Sequence, residues 1–438
     1  MVKIKAFLGY SPPKSLEKKV PSPPYDVISS EEARKFAEGN EQCFLHVNKP
    51  EIDLPEDTNP YSDEVYKQAK INLDAFIEKG YLVKETQPQL YIYAQTRGNH
   101  TQKGYILLAS IDDYEKGLIK KHEFTRKDKE EDRTKIINIQ NANAGPVFLS
   151  YSSKQSLDDF LETLSKRDPD FDFFADWEGE RHQVWKVSDK KIIESIQGEF
   201  DSVPALYICD GHHRMQSAAN VAKMRKAEIE KNGGTVTGEE PFNFVMTVVF
   251  PHTQLAIFDY NRVLFKQKKK KEELMEFLKQ SFDIKEVEKK ENVPDNTITP
   301  PHYAKPTEKR VFSMYLDKKW YYLHVHKDKV DESDPVKSID SQILTEQILT
   351  PFFGIQDLRS EKNIDFIGGT RGYQALQNLV DKNDAQKQND EISVAFGIFP
   401  VTMLELMNVA DSGRTMPPKS TWFLPKLLSG LVVRLIEN

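Results

Sequence analysis

Residues 205–222, ALYICDGHHRMQSAANVA, change character twice within a few positions. An apolar run that reads as a buried strand stops at Asp210. Gly211 then allows the backbone to bend closely, and a helix opens with the small residues Ser217, Ala218 and Ala219. A strand that turns into a helix through one glycine demands a sheet with a helix packed on it. It also leaves unpaired backbone N–H groups at the helix start, beside His212, His213 and Arg214. Oriented amides with cationic side chains suit a phosphate or a carboxylate. Asp210, at the bend, has the chemistry to bind a metal or to accept a proton. The plainer reading is a capped helix start carrying a surface histidine pair. A zinc site from Cys209, His212 and His213 is disfavoured, because no second ligand pair stands at a suitable spacing.

The rest of the chain alternates helix-like and strand-like stretches. Ser29 or Ser30, followed by Glu31 and Glu32, reads as a helix N-cap with acids in the first turn. Residues 61–79 place Val65, Ala69, Leu73, Phe76 and Ile77 on one helical face, closed by Gly80. Residues 89–115 read as a hairpin turning at RGNH. A charged run, HEFTRKDKEEDRTK, is helical from about Asp128 and leads to a short buried strand at Val147–Ser150. A helix over 155–165, an aromatic-rich strand pair over 171–187 and a helix over 189–199 follow. FNFVMTVVF, from Phe242, reads as a central strand with LAIFDYNRVL as its neighbour. KQKKKKEELMEFLKQSF opens as a solvated basic helix face, and 285–309 is a polar, proline-rich loop. RVFSMYL and KWYYLHVH form a hairpin through Asp317–Lys319, and the last hundred residues mix helices (340–350, 373–382, 401–410) with short strands. The fold class expected is α/β with mixed sheets, in three regions: 1–120, 121–265 with the DGHHR loop, and 266–438. Phe171, Phe173, Phe174 and Met215 are expected to pack the core, and Cys209 to lie buried beside the loop.

Composition narrows the function. A net charge of −7 argues against a general nucleic-acid binder, so an anionic substrate needs a local basic pocket. No stretch reaches the roughly 20 apolar residues that span a bilayer, which excludes a membrane partner of that kind. Two cysteines imply no disulfide framework and fit a reducing cytoplasm. There is no GxxxxGK[ST], no kinase HRD and DFG set, and no GxGxxG.

CDGHHR followed by a small-residue helix resembles the phosphate loop of the ParB/sulfiredoxin superfamily, which includes free-serine kinases. PPYDVIS (23–29), HVNKP (46–50), HEFTRKDKEEDR (122–133), NANAGPVF (141–148) and MPPKSTWFLPK (416–426) extend the likeness over nearly the whole chain. The ordered set resembles a family long described as a domain of unknown function, some of whose members are pyrophosphate-dependent serine kinases. The resemblance implies a ParB/sulfiredoxin-like phosphate-binding core elaborated with further α/β elements. It also implies phosphoryl transfer from pyrophosphate to free L-serine with Mg²⁺, giving O-phosphoserine that feeds cysteine biosynthesis. ATP or ADP as donor, or a non-catalytic ParB-like nucleotide-binding protein, are the rival readings. The last of these predicts a DNA-reading element, which the sequence does not show.

On that reading Gly211, His212 and Arg214 hold phosphate, and Asp210, Glu123 and His213 are the catalytic candidates, with Asp210 also the candidate metal ligand. Pyrophosphate transfer needs cations aimed at the leaving oxygens, a role for Arg133, Lys127 and Arg126. Lys419, Ser420 and Thr421, on a proline-stiffened loop, and Arg371, in a glycine turn, complete the phosphate set. His46, Asn48, Asp26 and His122 are candidates for the amino-acid end of the substrate, although Asp26 equally fits a turn cap before Ser29. Glu123 and Asp210 both remain open as the general base. Residues 210–214 are expected to stabilise charge during transfer rather than the fold.

Overall fold

Strand Phe244–Pro251 is buried at all 8 of its positions and lies inside the larger sheet, as its unbroken apolar run predicts. The computed structural model describes residues 1–289, 300–386 and 391–437. Along the sheet the order is Ile119–Lys120, Leu206–Asp210, Val147–Tyr151, Phe244–Pro251, His100–Ser110, Leu90–Arg97, Glu180–Val187, Phe171–Ala175, with Ile4–Lys5 paired to His100–Ser110. Two pairings are parallel, Leu206–Asp210 with Ile119–Lys120 and Phe244–Pro251 with Val147–Tyr151; the others are antiparallel. The fold class is therefore α/β with mixed sheets. Beneath the sheet lies a core that includes Leu107, Leu149, Leu206, Ile208, Met215, Ala218 and Ala222.

Helix His212–Lys231 is joined to that core through the small residues of its first two turns. Ser217 is fully buried, and its hydroxyl donates to the Glu130 carbonyl at 3.1 Å, which fixes helix Lys127–Gln140 alongside. Ser29, rather than Ser30, caps the first helix, in a reciprocal capping box with Glu32.

The chain divides into two compact units, Met1–Leu255 with Pro425–Asn438, and Ala256–Leu424. This partition cuts across the three regions drawn from the sequence. The line at 120 runs through the large sheet, because Ile119–Lys120 pairs with Leu206–Tyr207. LAIFDYNRVL is not the neighbour of the central strand. Ala256–Phe258 pairs with Trp422–Leu424, and Tyr260–Gln267 enters the sheet of the second unit. HVNKP is not a plain loop: Leu45–Asn48 is a helical turn and Pro50–Asp53 a 3₁₀ turn. Phe171 and Phe173 are buried as expected, but Phe174 alternates to the outer face and is 47% exposed.

The second unit has an antiparallel sheet ordered Phe282–Glu286, Lys319–Val325, Val311–Leu316, Ile392–Gly397, Tyr260–Gln267, Ile364–Gly368. Its hairpin turns at Asp317 and Lys318, both with positive φ (49° and 62°), the turn hand that matches strand twist. Helix Gly372–Asp384 covers one face through Tyr373, Leu376 and Val380. Leu274, Leu278, Ile343 and Ile348 belong to the core of the other. Of the loop expected over 285–309, residues 290–299 lie outside the described residues. Among the described residues no helix is long and apolar enough to cross a membrane.

Candidate functional site

Gly211 takes φ 86° and ψ 32°, the left-handed conformation that a side chain disfavours. A Cβ there would stand 3.0 Å from Arg214 Nε, so the glycine is needed for the bend and for the arginine behind it. From this bend the helix opens with its first N–H groups unpaired and no side-chain cap.

Arg214 turns back under the loop and is 8% exposed. Its Nη1 donates to the Pro146 carbonyl of the NANAGP segment. Its Nη2 lies 3.5 Å from Asp26 Oδ2 and 3.7 Å from Asp210 Oδ2, while its Nε has no hydrogen-bond partner. Lys426 Nζ stands 3.2 Å from the same Asp210 oxygen. Burial by itself would raise the Asp210 carboxyl, but Lys426 and Arg214 outweigh it and hold it at about 2. Asp210 is thus ionised at every working pH.

The histidines are not cations here. Burial pushes His122 down to about 4 and His212 well below the usual range, and His212 is lowered further by His122. Their rings meet edge to face at 4.6 Å. His212 Nδ1 is 3.9 Å from Glu123 Oε2, and its buried Nε2 has no hydrogen-bond partner. His213 is half-buried, lowered mainly by burial, and accepts the Arg126 backbone N–H on Nε2 at 3.0 Å. That bond fixes the neutral tautomer with its proton on Nδ1. The positive charge of the loop therefore comes from Arg214 and Lys426, not from the histidine pair.

Arg133 lies close by on the neighbouring helix. Its Nε and Nη2 grip Asp132 Oδ2 at 2.8 and 2.7 Å, and its guanidinium lies 4.1 Å from the centre of the Tyr25 ring. Burial, then the Asp26 charge, pushes the Tyr25 hydroxyl up to about 12. The PPYDVIS segment is in this way gripped twice, at Tyr25 by Arg133 and at Asp26 by Arg214.

The other expected residues are placed differently. Lys127 is 90% exposed and lies 3.9 Å from Glu131, and Arg126 pairs with Asp128 at 2.8 Å. His46 has both ring nitrogens engaged, Nδ1 with Asp53 at 2.7 Å and Nε2 with the Asn40 carbonyl at 3.3 Å. Asn48 is 7% exposed, and its Nδ2 has no hydrogen-bond partner. Arg371, Lys419, Ser420 and Thr421 belong to the second unit. There Arg371 is exposed in a 3₁₀ turn, Lys419 adopts φ 58°, and the Ser420 hydroxyl is already bonded to Ser341 (2.8 Å) and the Pro417 carbonyl (2.7 Å).

Two residues escaped the sequence reading. Lys426 stands at the end of the MPPKSTWFLPK segment, whose last two residues belong to the first unit. Arg262, in the second unit, is fully buried and has no carboxylate partner among the described residues. Its guanidinium donates to the Tyr260 carbonyl and packs 4.9 Å from the Phe366 ring centre. An arginine inside an apolar strand pattern (DYNRVLF) was the available signal.

A family model described as "Protein of unknown function (DUF1015)" matches residues 4–342. No curated protein matches the chain. Among solved structures, a free serine kinase variant in complex with ADP is similar at 13% identity and TM-score 0.33, over 75% of this chain and 90% of that one. A conserved hypothetical protein from Pyrococcus furiosus aligns at 14% identity and TM-score 0.33, over 78% of this chain and 98% of its own. SbnI with a C-terminal truncation, from Staphylococcus aureus, aligns at 14% identity and TM-score 0.34, over 74% and 85%.

Proposed function

The chain belongs to this family of unknown function, and for this member we propose a phosphotransferase that makes O-phospho-L-serine from free L-serine, with pyrophosphate as the phosphoryl donor. The observation that carries the reading is the loop at 210–214. A left-handed glycine exposes the first amides of a helix, and two cations, Arg214 and Lys426, converge on the aspartate before it. Helix-start amides and cations in one place stabilise charge on transferring phosphoryl oxygens. Arg214 Nε and His212 Nε2, buried without partners, are groups whose hydrogen bonds a bound ligand would complete.

Charge balance bears on the metal. Arg214, Lys426 and Arg133 are offset by Asp210, Asp26 and Asp132, so a pyrophosphate needs further positive charge to enter. Asp210 and Asp26 fit Mg²⁺, which is usually held by one or two carboxylates plus substrate phosphates. When bound, Mg²⁺ would neutralise phosphate oxygens. Asp210, held at about 2, is a weak base; Glu123, beside the neutral His212, is the better acceptor for the serine hydroxyl proton. His213, with its proton on Nδ1, is a hydrogen-bond donor in this scheme.

The test is a coupled assay for phosphoserine with Mg²⁺ and L-serine, comparing pyrophosphate, ATP and ADP. Pyrophosphate should support turnover far above the nucleotides. Faster turnover with ATP or ADP refutes the donor and keeps the kinase; no phosphoserine from any donor refutes both. His213→Ala should lower turnover by roughly 10²–10³, the scale of one lost hydrogen-bond donor at a developing charge.

A further inference from the structure

The hairpin of Phe171–Ala175 and Glu180–Val187 carries a second cluster. Glu178, Glu180 and His182 place three ligand-type atoms within 4.8 Å of one another. Glu180 and His182 are 1% and 0% exposed. Glu178 Oε2, Glu180 Oε2 and His182 Nε2 all lack a hydrogen-bond partner, and His182 Nε2 lies 3.9 Å from Glu180 Oε2. Arg97 reaches Glu180 at 3.0 Å and also donates to the Glu178 carbonyl at 3.1 Å, and the Lys426 charge acts on Glu178 as well. Two carboxylates whose outer oxygens are buried and unpaired are costly in a dry site unless a cation or a proton completes them.

We propose that Glu178, Glu180 and His182 bind a divalent first-row transition-metal ion, for which Zn²⁺ fits the donor set. One imidazole and two carboxylates match zinc, whereas Mg²⁺ prefers oxygen ligands alone. Donors on a tetrahedral zinc lie roughly 3.4 Å apart, so the three side chains close on the ion by about 1 Å. Burial keeps His182 neutral, lowered to about 3, which leaves a ring nitrogen free to coordinate. Its other nitrogen, Nδ1, lies 2.7 Å from the Tyr93 hydroxyl; with the proton on Nδ1 this bond makes Nε2 the ligand. Phe173 and Tyr93 stack on the imidazole at 5.3 and 5.9 Å and hold its plane. Three protein ligands leave a fourth position for water or another ligand.

Without an ion, burial and mutual repulsion push Glu178 well above the usual range, and burial raises Glu180, so the alternative is a proton shared by the pair. The experiment is calorimetric titration of the chelator-stripped full chain with Zn²⁺ at pH 7, with folding checked by circular dichroism. The expected result is one zinc site per chain. Tyr93→Phe should weaken it by roughly 10–100-fold, as losing an outer-shell partner does, and Glu178→Gln by more. The absence of zinc binding by the unmodified chain overturns the proposal. So does wild-type affinity in folded Glu178→Gln.

Discussion

Replacing Asp210 by asparagine keeps the shape of the side chain and removes its charge. In the native chain Lys426 and Arg214 hold this carboxyl at about 2, against an ordinary 3.8. Each unit of difference is worth about 1.4 kcal/mol, so the ionised carboxylate contributes roughly 2 kcal/mol at neutral pH. Asparagine forfeits that and leaves Lys426 Nζ, 3.2 Å away, facing a neutral amide. For a unit of this size a loss of that order lowers the melting temperature by about 4–8 °C. The sign with pH follows from the depressed carboxyl. The unfolded chain binds the proton more readily, so the stabilisation is complete above the unfolded value and is lost as pH falls from about 4 through about 2. Urea unfolding of the native chain and of Asp210→Asn should differ by about 2 kcal/mol at pH 7, and the gap should shrink steadily below pH 4. Equal midpoints at pH 7, or a gap constant down to pH 2, refute the ion-pair account. This outcome departs from the expectation that loop side chains leave stability untouched. Asp210, half-buried, and Arg214, buried, belong to one charged network, and breaking one partner leaves the others uncompensated.

Two further outcomes follow from the same geometry. Gly211→Ala forces a Cβ onto a left-handed residue 3.0 Å from Arg214 Nε; it should cost about 1–2 kcal/mol in urea unfolding and lower turnover, and wild-type stability would show that the bend tolerates side chains. His122, lowered to about 4 by burial, stays neutral in the folded chain, so its ring NMR signals should not titrate between pH 5 and 8. Because the unfolded state binds this proton first, the stability tied to His122 is complete above about 6.5 and falls as pH drops toward 4; His122→Gln should flatten that slope.

Local chemistry was legible in the chain itself. The strand–glycine–helix junction, the Ser29 cap, the 61–79 amphipathic helix and the Asp317–Lys318 turn each depend on residues a few positions apart, and each formed at or near its expected place. Which strand neighbours which was not legible. LAIFDYNRVL has the pattern of a strand, but pattern alone does not choose a partner, and packing sends Tyr260–Gln267 to another sheet. The sign of charge at the loop was also undecided by sequence. His212 and His213 read as cations until burial is known, and burial lowers both. Lys426 lies 216 positions from Asp210, and the chain returns to the first unit only at Pro425. Residue types and short spacings set the strand–glycine–helix junction and the polar groups around it; long-range pairing and the removal of water decided which of those groups carry charge.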